Sequence, residues 1–98
     1  MLRHVVLFTW KDEASEAQKQ AVRDGLDALP AAIPEIANYT HGDDAGLAEG
    51  NFDFAVVGDF DSRDDYVVYA GHEAHLQLIA EKIRPILDTR VAVQYSVD

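Results

Sequence analysis

The sequence predicts an α+β domain of the ferredoxin-like kind, a four-stranded antiparallel sheet with its helices on one face. Three observations predict it. Four runs of strand-like composition, residues 4–10, 36–41, 52–60 and 89–97, are separated by two segments of helical character and one loop. The resulting order, β-α-β-β-α-β, is the split βαβ arrangement. The strands also carry apolar residues on both faces, more than one layer of helices would cover. With 98 residues the chain has room for one compact domain, taken as residues 1–98.

Residues 4–10 (HVVLFTW) are β-branched and aromatic and end at Lys11-Asp12-Glu13. Val6, Phe8 and Trp10 share one face, Val5 and Leu7 the other. Residues 14–29 form a helix: Ser15 and Gln18 make a capping-box pair, and Ala17, Ala21, Val22, Gly25, Leu26 and Leu29 recur at helical spacing. Pro30 and Pro34 are expected to stop it. Residues 36–41 (IANYTH) read as a weaker strand. The Gly- and Asp-rich residues 42–50 read as a loop without the alternating acidic ligands of a calcium site. Residues 52–60 alternate cleanly, with Phe52, Phe54, Val56 and Phe60 against Asp53, Ala55, Val57 and Asp59.

Ser62 then caps a second helical segment with Asp64 and Asp65 in its first turn. That segment is expected to run to Tyr69, break near Gly71, and resume from His72 to about Arg84, where Pro85 ends it. Leu76, Ile79, Ile83 and Ile86 form its apolar stripe. Residues 89–97 alternate as a half-buried strand, with Val91, Val93, Tyr95 and Val97 opposed to Arg90, Ala92, Gln94 and Ser96.

Eighteen acidic against eight basic residues give a formal charge of -10, a field that repels nucleic acid and anionic membrane surfaces. There is no cysteine, hence no thiolate chemistry and no Cys-ligated zinc. No signal peptide or membrane-length run is present, which leaves a cytoplasmic location as the default. If the helices cover one sheet face, Val5, Leu7, Ala55, Val57 and Ala92 lie bare on the other. A patch of that kind is unusual for a monomer, and a second copy is its natural cover. A homodimer through the sheet face is therefore expected, although Asp53, Asp59 and Gln94 also allow a wet, unpaired face.

Four residues carry the candidate chemistry: His4, Tyr69, His72 and His75. On a helical wheel His72 falls on the core stripe, with His75 on one flank and Tyr69 on the other, provided Gly71 keeps the register. His4 shares the face of Phe8 and Trp10, so these residues, with Phe54, are expected to line a pocket for a small apolar or aromatic ligand. Imidazole titrates nearest neutral pH and phenol donates a proton, so the cluster suits acid–base work. Spacing alone favours a structural role, with imidazoles hydrogen-bonded to backbone or capping a helix. His72 and His75 lack the i, i+4 spacing of HExxH zinc pairs, so no metal is expected. No serine sits beside a base, and no glycine-rich phosphate cradle follows a strand.

The opening HVVLFTWK, the block FDFAVVGDFDSRDDYVVYAGHEAH and the closing RVAVQYSVD resemble the stress-responsive dimeric α/β-barrel (Dabb) family from end to end. The resemblance implies a dimeric α/β barrel of ferredoxin-like halves. It also implies a site built from an opening strand histidine and a Tyr-x-x-His-Pro-x-His motif, here His4 and Tyr69-Ala70-Gly71-His72-Glu73-Ala74-His75. Glu73 replaces the proline. A plant polyketide cyclase of this family makes olivetolic acid by a cofactor-free aldol condensation. Similarity to it implies His75 as general base, Tyr69 as the group that orients or protonates a carbonyl, His4 and His72 as residues shaping the site, and no cofactor. Phe54 stands where that cyclase has a further pocket histidine.

Overall fold

The computed structural model describes residues 1–97. Its elements are β1 (Leu2–Trp10), α1 (Glu16–Ala32), β2 (Ile36–Asp43), β3 (Phe54–Phe60), α2 (Arg63–Gly71), α3 (Glu73–Leu78) and β4 (Leu87–Ser96). A π turn over Ile79–Ile83 and a 3-10 turn over Arg84–Ile86 join α3 to β4. The strands form one antiparallel sheet in the order β2-β3-β1-β4, which is the ferredoxin-like topology. No helix among the described residues is long and apolar enough to cross a membrane.

Helix α1 starts where its capping box requires. Gln18 N–H donates to Ser15 Oγ at 3.1 Å, and Ser15 N–H donates to Gln18 Oε1 at 2.9 Å. Its end departs from expectation, because Pro30 lies inside the helix, which continues to Ala32. Proline deletes one backbone hydrogen bond, but here it sits exposed in the last turns, and Ile33 N–H still closes onto Leu29 O at 2.8 Å. Pro34 then lies just outside. Val22, Leu26, Leu29 and Ile33 bury the inner face of α1 against Val6, Val56 and Phe60 of the sheet.

The register of β4 on β1 overturns two expectations. Val5 opposes Val93, Val6 opposes Ala92 and Leu7 opposes Val91. Directly paired residues point to the same side, so Ala92 joins the helix side. Val91, Val93 and Tyr95 join Val5, Leu7, Ala55 and Val57 on the open face. Nor is β4 half-buried: it is an edge strand exposed from Asp88 to Ser96, because the helices cover β1 and β3 and stop short of it. Strand β3 begins at Phe54, not Phe52, and Phe52 lies instead with Leu7 and Ala55 along the open side. At the other end of that face, Arg3 grips Asp59 through two bonds of 2.8 and 3.0 Å.

The helix break falls at His72, one residue past Gly71. Its backbone is extended (φ -67°, ψ 138°), and α3 restarts from it. That restart rotates the stripe, so that Leu78 is buried in place of Leu76, which is half exposed. Leu78 is seated by Gly25 of α1: a Cβ on Gly25 would run into the Leu78 side chain at Cδ1. In Gly25→Ala, a helix-propensity gain of about 1 kcal/mol opposes an overpacking cost of about 1–3 kcal/mol. We expect a net loss in the native background and a gain of up to about 1 kcal/mol beside Leu78→Ala, where the clash is gone. Denaturant unfolding of the four-member cycle measures both; an equal effect in the two backgrounds would contradict the seat.

Candidate functional site

Between the sheet and the α3–π-turn segment lies a cavity of about 70 Å³. Its walls are apolar: Val6, Phe8, Val56 and Leu87 from the sheet, Leu26 from α1, and Ile79 and Ile83 from the π turn. Its polar groups are His4 from β1, Tyr39 from β2, Tyr69 from α2, His75 from α3 and Arg90 from β4. Five elements thus converge on one small volume.

The helix break is what brings Tyr69 and His75 together. Across the extended His72 their rings stack, with centroids 4.2 Å apart and planes 29° apart. His75 Nδ1 lies 3.2 Å from the Ala70 carbonyl oxygen, and a carbonyl only accepts, so Nδ1 carries the proton. In neutral His75, Nε2 is therefore a free base. His4 is the mirror case. The Gln94 side-chain amide donates to His4 Nδ1 at 2.8 Å, so neutral His4 carries its proton on Nε2. His4 is 2% exposed and packs against Tyr66 (5.0 Å) and Tyr69 (6.0 Å).

Burial sets the charge state of all four rings. It pushes His4 down to about 4, helped by the positive charge of Arg90 and by His75. It also lowers His75, with Arg90 and His72 adding and the Ala70 carbonyl opposing. Both imidazoles are neutral at pH 7. Burial raises Tyr39 and Tyr69 above the ordinary phenol value, so both keep their protons. The two hydroxyls lie 2.7 Å apart. One proton fills that bond, so the pair retains a second O–H to offer.

Of the residues expected at the pocket, His4, Phe8, Tyr69 and His75 line this cavity. His72, Trp10 and Phe54 do not. His72 caps α3: its Nδ1 accepts from Ala74 N–H at 3.1 Å, which turns the ring to the helix end rather than onto the core stripe. Trp10 and Phe54 pack with Phe8 into an aromatic cluster at the far end of the core, with centroids 5.4 to 6.3 Å apart. There Trp10 N–H is held by Asp53 Oδ2 at 2.8 Å. Glu73, in the proline position, is the first residue of α3, where its charge suits the positive helix end.

Sequence reasoning missed Tyr39, Tyr66, Arg90 and Gln94. Tyr66 had a signal, being three residues before Tyr69 on the same helix face. The others reach the site through strand register: Gln94 opposes His4, and Arg90 opposes Phe8.

Comparison with known proteins gives a consistent picture. The model of the stress-responsive A/B barrel domain matches residues 2–97. A stress-response A/B barrel domain-containing protein of Arabidopsis thaliana is 25% identical over 99 residues. All of this chain is covered in that match, yet it spans only 37% of the relative's length. A dimeric ferredoxin-like protein of unknown function from Thermobifida fusca superposes with a TM-score of 0.90 at 47% identity. That alignment covers 98% of this chain and 90% of the other. A hydroxynitrile lyase from Passiflora edulis superposes at 0.87 with 22% identity, over 99% and 93% of the two chains, which is a likeness of fold alone.

The buried neutral histidine makes stability depend on pH. Between pH 6.5 and about 4 the unfolded chain takes up a proton that folded His4 refuses, so stability falls as pH drops through that window. After discounting for solvent reaching the ring, the loss is about 1–3 kcal/mol. Asp59, held low by Arg3, adds its own loss only below its ordinary 3.8. In urea unfolding at pH 7, 5.5 and 4, His4→Gln should show the shallower decline. Parallel curves for the two proteins would refute the assignment.

Proposed function

The chain belongs to the stress-responsive A/B barrel domain family, and from that premise we propose that it is a homodimer whose cavity binds a small carbonyl compound and moves a proton on it without a cofactor. One observation carries the reading: two neutral imidazoles meet at one cavity in opposite tautomers, beside a hydrogen-bonded phenol pair. His75 Nε2 is an acceptor, whereas His4 Nε2–H and the spare phenol O–H are donors. A carbonyl group needs that complement. His75 takes a proton from the carbon beside the carbonyl, the C–H electron pair moves into the enolate, and the developing oxyanion is held by the phenol and His4. Return of the proton to another carbon completes an isomerisation. Attack of the enolate carbon on a second carbonyl, with the proton passed to its oxygen, completes a cyclisation.

Size narrows the substrate. An engineered apolar cavity of about 150 Å³ holds one benzene, and this one has about half that volume. It accepts a short-chain compound, or only the reacting end of a longer one. Phe54, in the aromatic cluster away from the cavity, adds no polar contact there.

A second reading has its own support. The Nδ1 atoms of His4, His72 and His75 are all engaged within the fold, by Gln94, Ala74 and Ala70, as expected if the imidazoles serve only the fold and the protein is a non-catalytic binding or oligomeric module. Deuterium incorporation next to the carbonyl of butanone and 4-oxopentanoate in D2O separates the two. Acid–base catalysis predicts exchange above buffer that falls about 100-fold in His75→Ala and about tenfold or more in Tyr69→Phe. Exchange at the buffer rate with wild-type protein would favour the non-catalytic module.

The dimer rests on the open sheet face. Val91, Val93 and Tyr95 are 45%, 54% and 45% exposed there, beside half-buried Val5, Leu7 and Val57. Such a patch favours a second copy as its cover, in keeping with the dimeric Thermobifida fusca relative. Sedimentation equilibrium should give twice 10.8 kDa, and Val93→Asp should shift the protein to monomer. A monomeric wild type at micromolar concentration would count against this assembly.

A further inference from the structure

We propose that the cavity takes a short-chain oxo carboxylate, its carboxylate held at the mouth by Arg90 and its carbonyl directed inward to the histidines and phenols. This deepens the preceding reading and rests on it.

Of the residues lining the cavity, Arg90 is the exposed one; the rest are buried or half-buried. It therefore marks where the cavity meets solvent, at the sheet edge formed by β4. Its direction follows from register: it opposes Phe8, a helix-side residue, and so projects to the helix side and not to the open face. Arg90 forms no ion pair and no side-chain hydrogen bond among the described residues. Arg3 and Arg23 are engaged by Asp59 and Asp43; Arg63 and Arg84, like Arg90, make no such pair among the described residues, and of these three only Arg90 lines the cavity. Among the described residues its guanidinium has no carboxylate partner, although the chain carries ten more acidic charges than basic ones. It stands at the cavity mouth, where it can meet an anionic ligand.

The inner groups cannot serve an anion alone. Tyr39, Tyr69, His4 and His75 are all neutral at pH 7, and the walls between them are apolar. A carboxylate driven to the bottom of the cavity would be desolvated with no countercharge. At the mouth it meets the planar fork of an arginine that matches it in two parallel bonds. The same ligand then places its uncharged carbonyl end among the neutral donors. The cation and the neutral donor–acceptor set therefore select a bifunctional ligand, anionic at one end and carbonylic at the other. The volume limits the buried end to a short chain.

The test is titration of the full chain with 4-oxopentanoate and with its methyl ester, read by calorimetry and by the imidazole resonances of His4 and His75. We expect the carboxylate to bind at least about tenfold more tightly than the ester at low salt, with the preference narrowing as salt rises. Arg90→Gln should bring the carboxylate down to the level of the ester, and Arg90→Lys should restore part of the difference. Equal affinities in the wild type, or a preference that survives Arg90→Gln, would overturn the assignment of Arg90 while leaving the cavity as a carbonyl site. Failure of both compounds to bind or to move either imidazole would overturn the carbonyl site itself, and this inference with it.

Discussion

The pairing of β4 against β1 is the interaction on which the rest of the molecule depends. With Val5 opposite Val93 and His4 opposite Gln94, one set of β4 side chains is committed to the open face and the other to the cavity side. A slip of one residue would exchange the two sets. Gln94 would leave His4, Arg90 would leave the cavity mouth, and Val91, Val93 and Tyr95 would turn toward the helices. The open apolar face and the polar cavity are two consequences of a single register.

The four polar rings of the cavity persist because each is held by another part of the fold. An imidazole at 2% exposure is tolerable when its hydrogen bond is supplied by a neighbouring strand and its charge is withheld. His75 depends on a carbonyl of the preceding helix, freed where the chain breaks at His72. Tyr39 and Tyr69 satisfy each other across the space between sheet and helix. These bonds dictate tautomers as well as positions. The same low dielectric that makes unpaired groups costly makes these donors and acceptors effective toward a bound carbonyl.

The break at His72 links local chemistry to site geometry. In an uninterrupted helix, residues 69 and 75 would lie six positions apart, on widely separated directions. The extended His72 resets the direction of α3, and the two rings stack at 4.2 Å. The histidine that reads from spacing as a pocket member is thus the one that builds the corner, with its own ring spent on the helix cap.

Much of the fold was legible in the sequence because the deciding signals are local. Period-two runs, the Ser15–Gln18 and Ser62 caps, and the interruption near Gly71 each depend on residues close in the chain. The sequence by itself therefore determined the order of the elements, the two-sided apolar character of β1, and the candidacy of His4, Tyr69 and His75. What it left open depends on contacts between distant segments. The inward side of β4, the exclusion of Trp10 and Phe54 from the cavity, the recruitment of Tyr39, Gln94 and Arg90, and the continuation of α1 through Pro30 were decided by tertiary structure. Alternation says that two sets of side chains point opposite ways, but only the partner strand says which set faces the core.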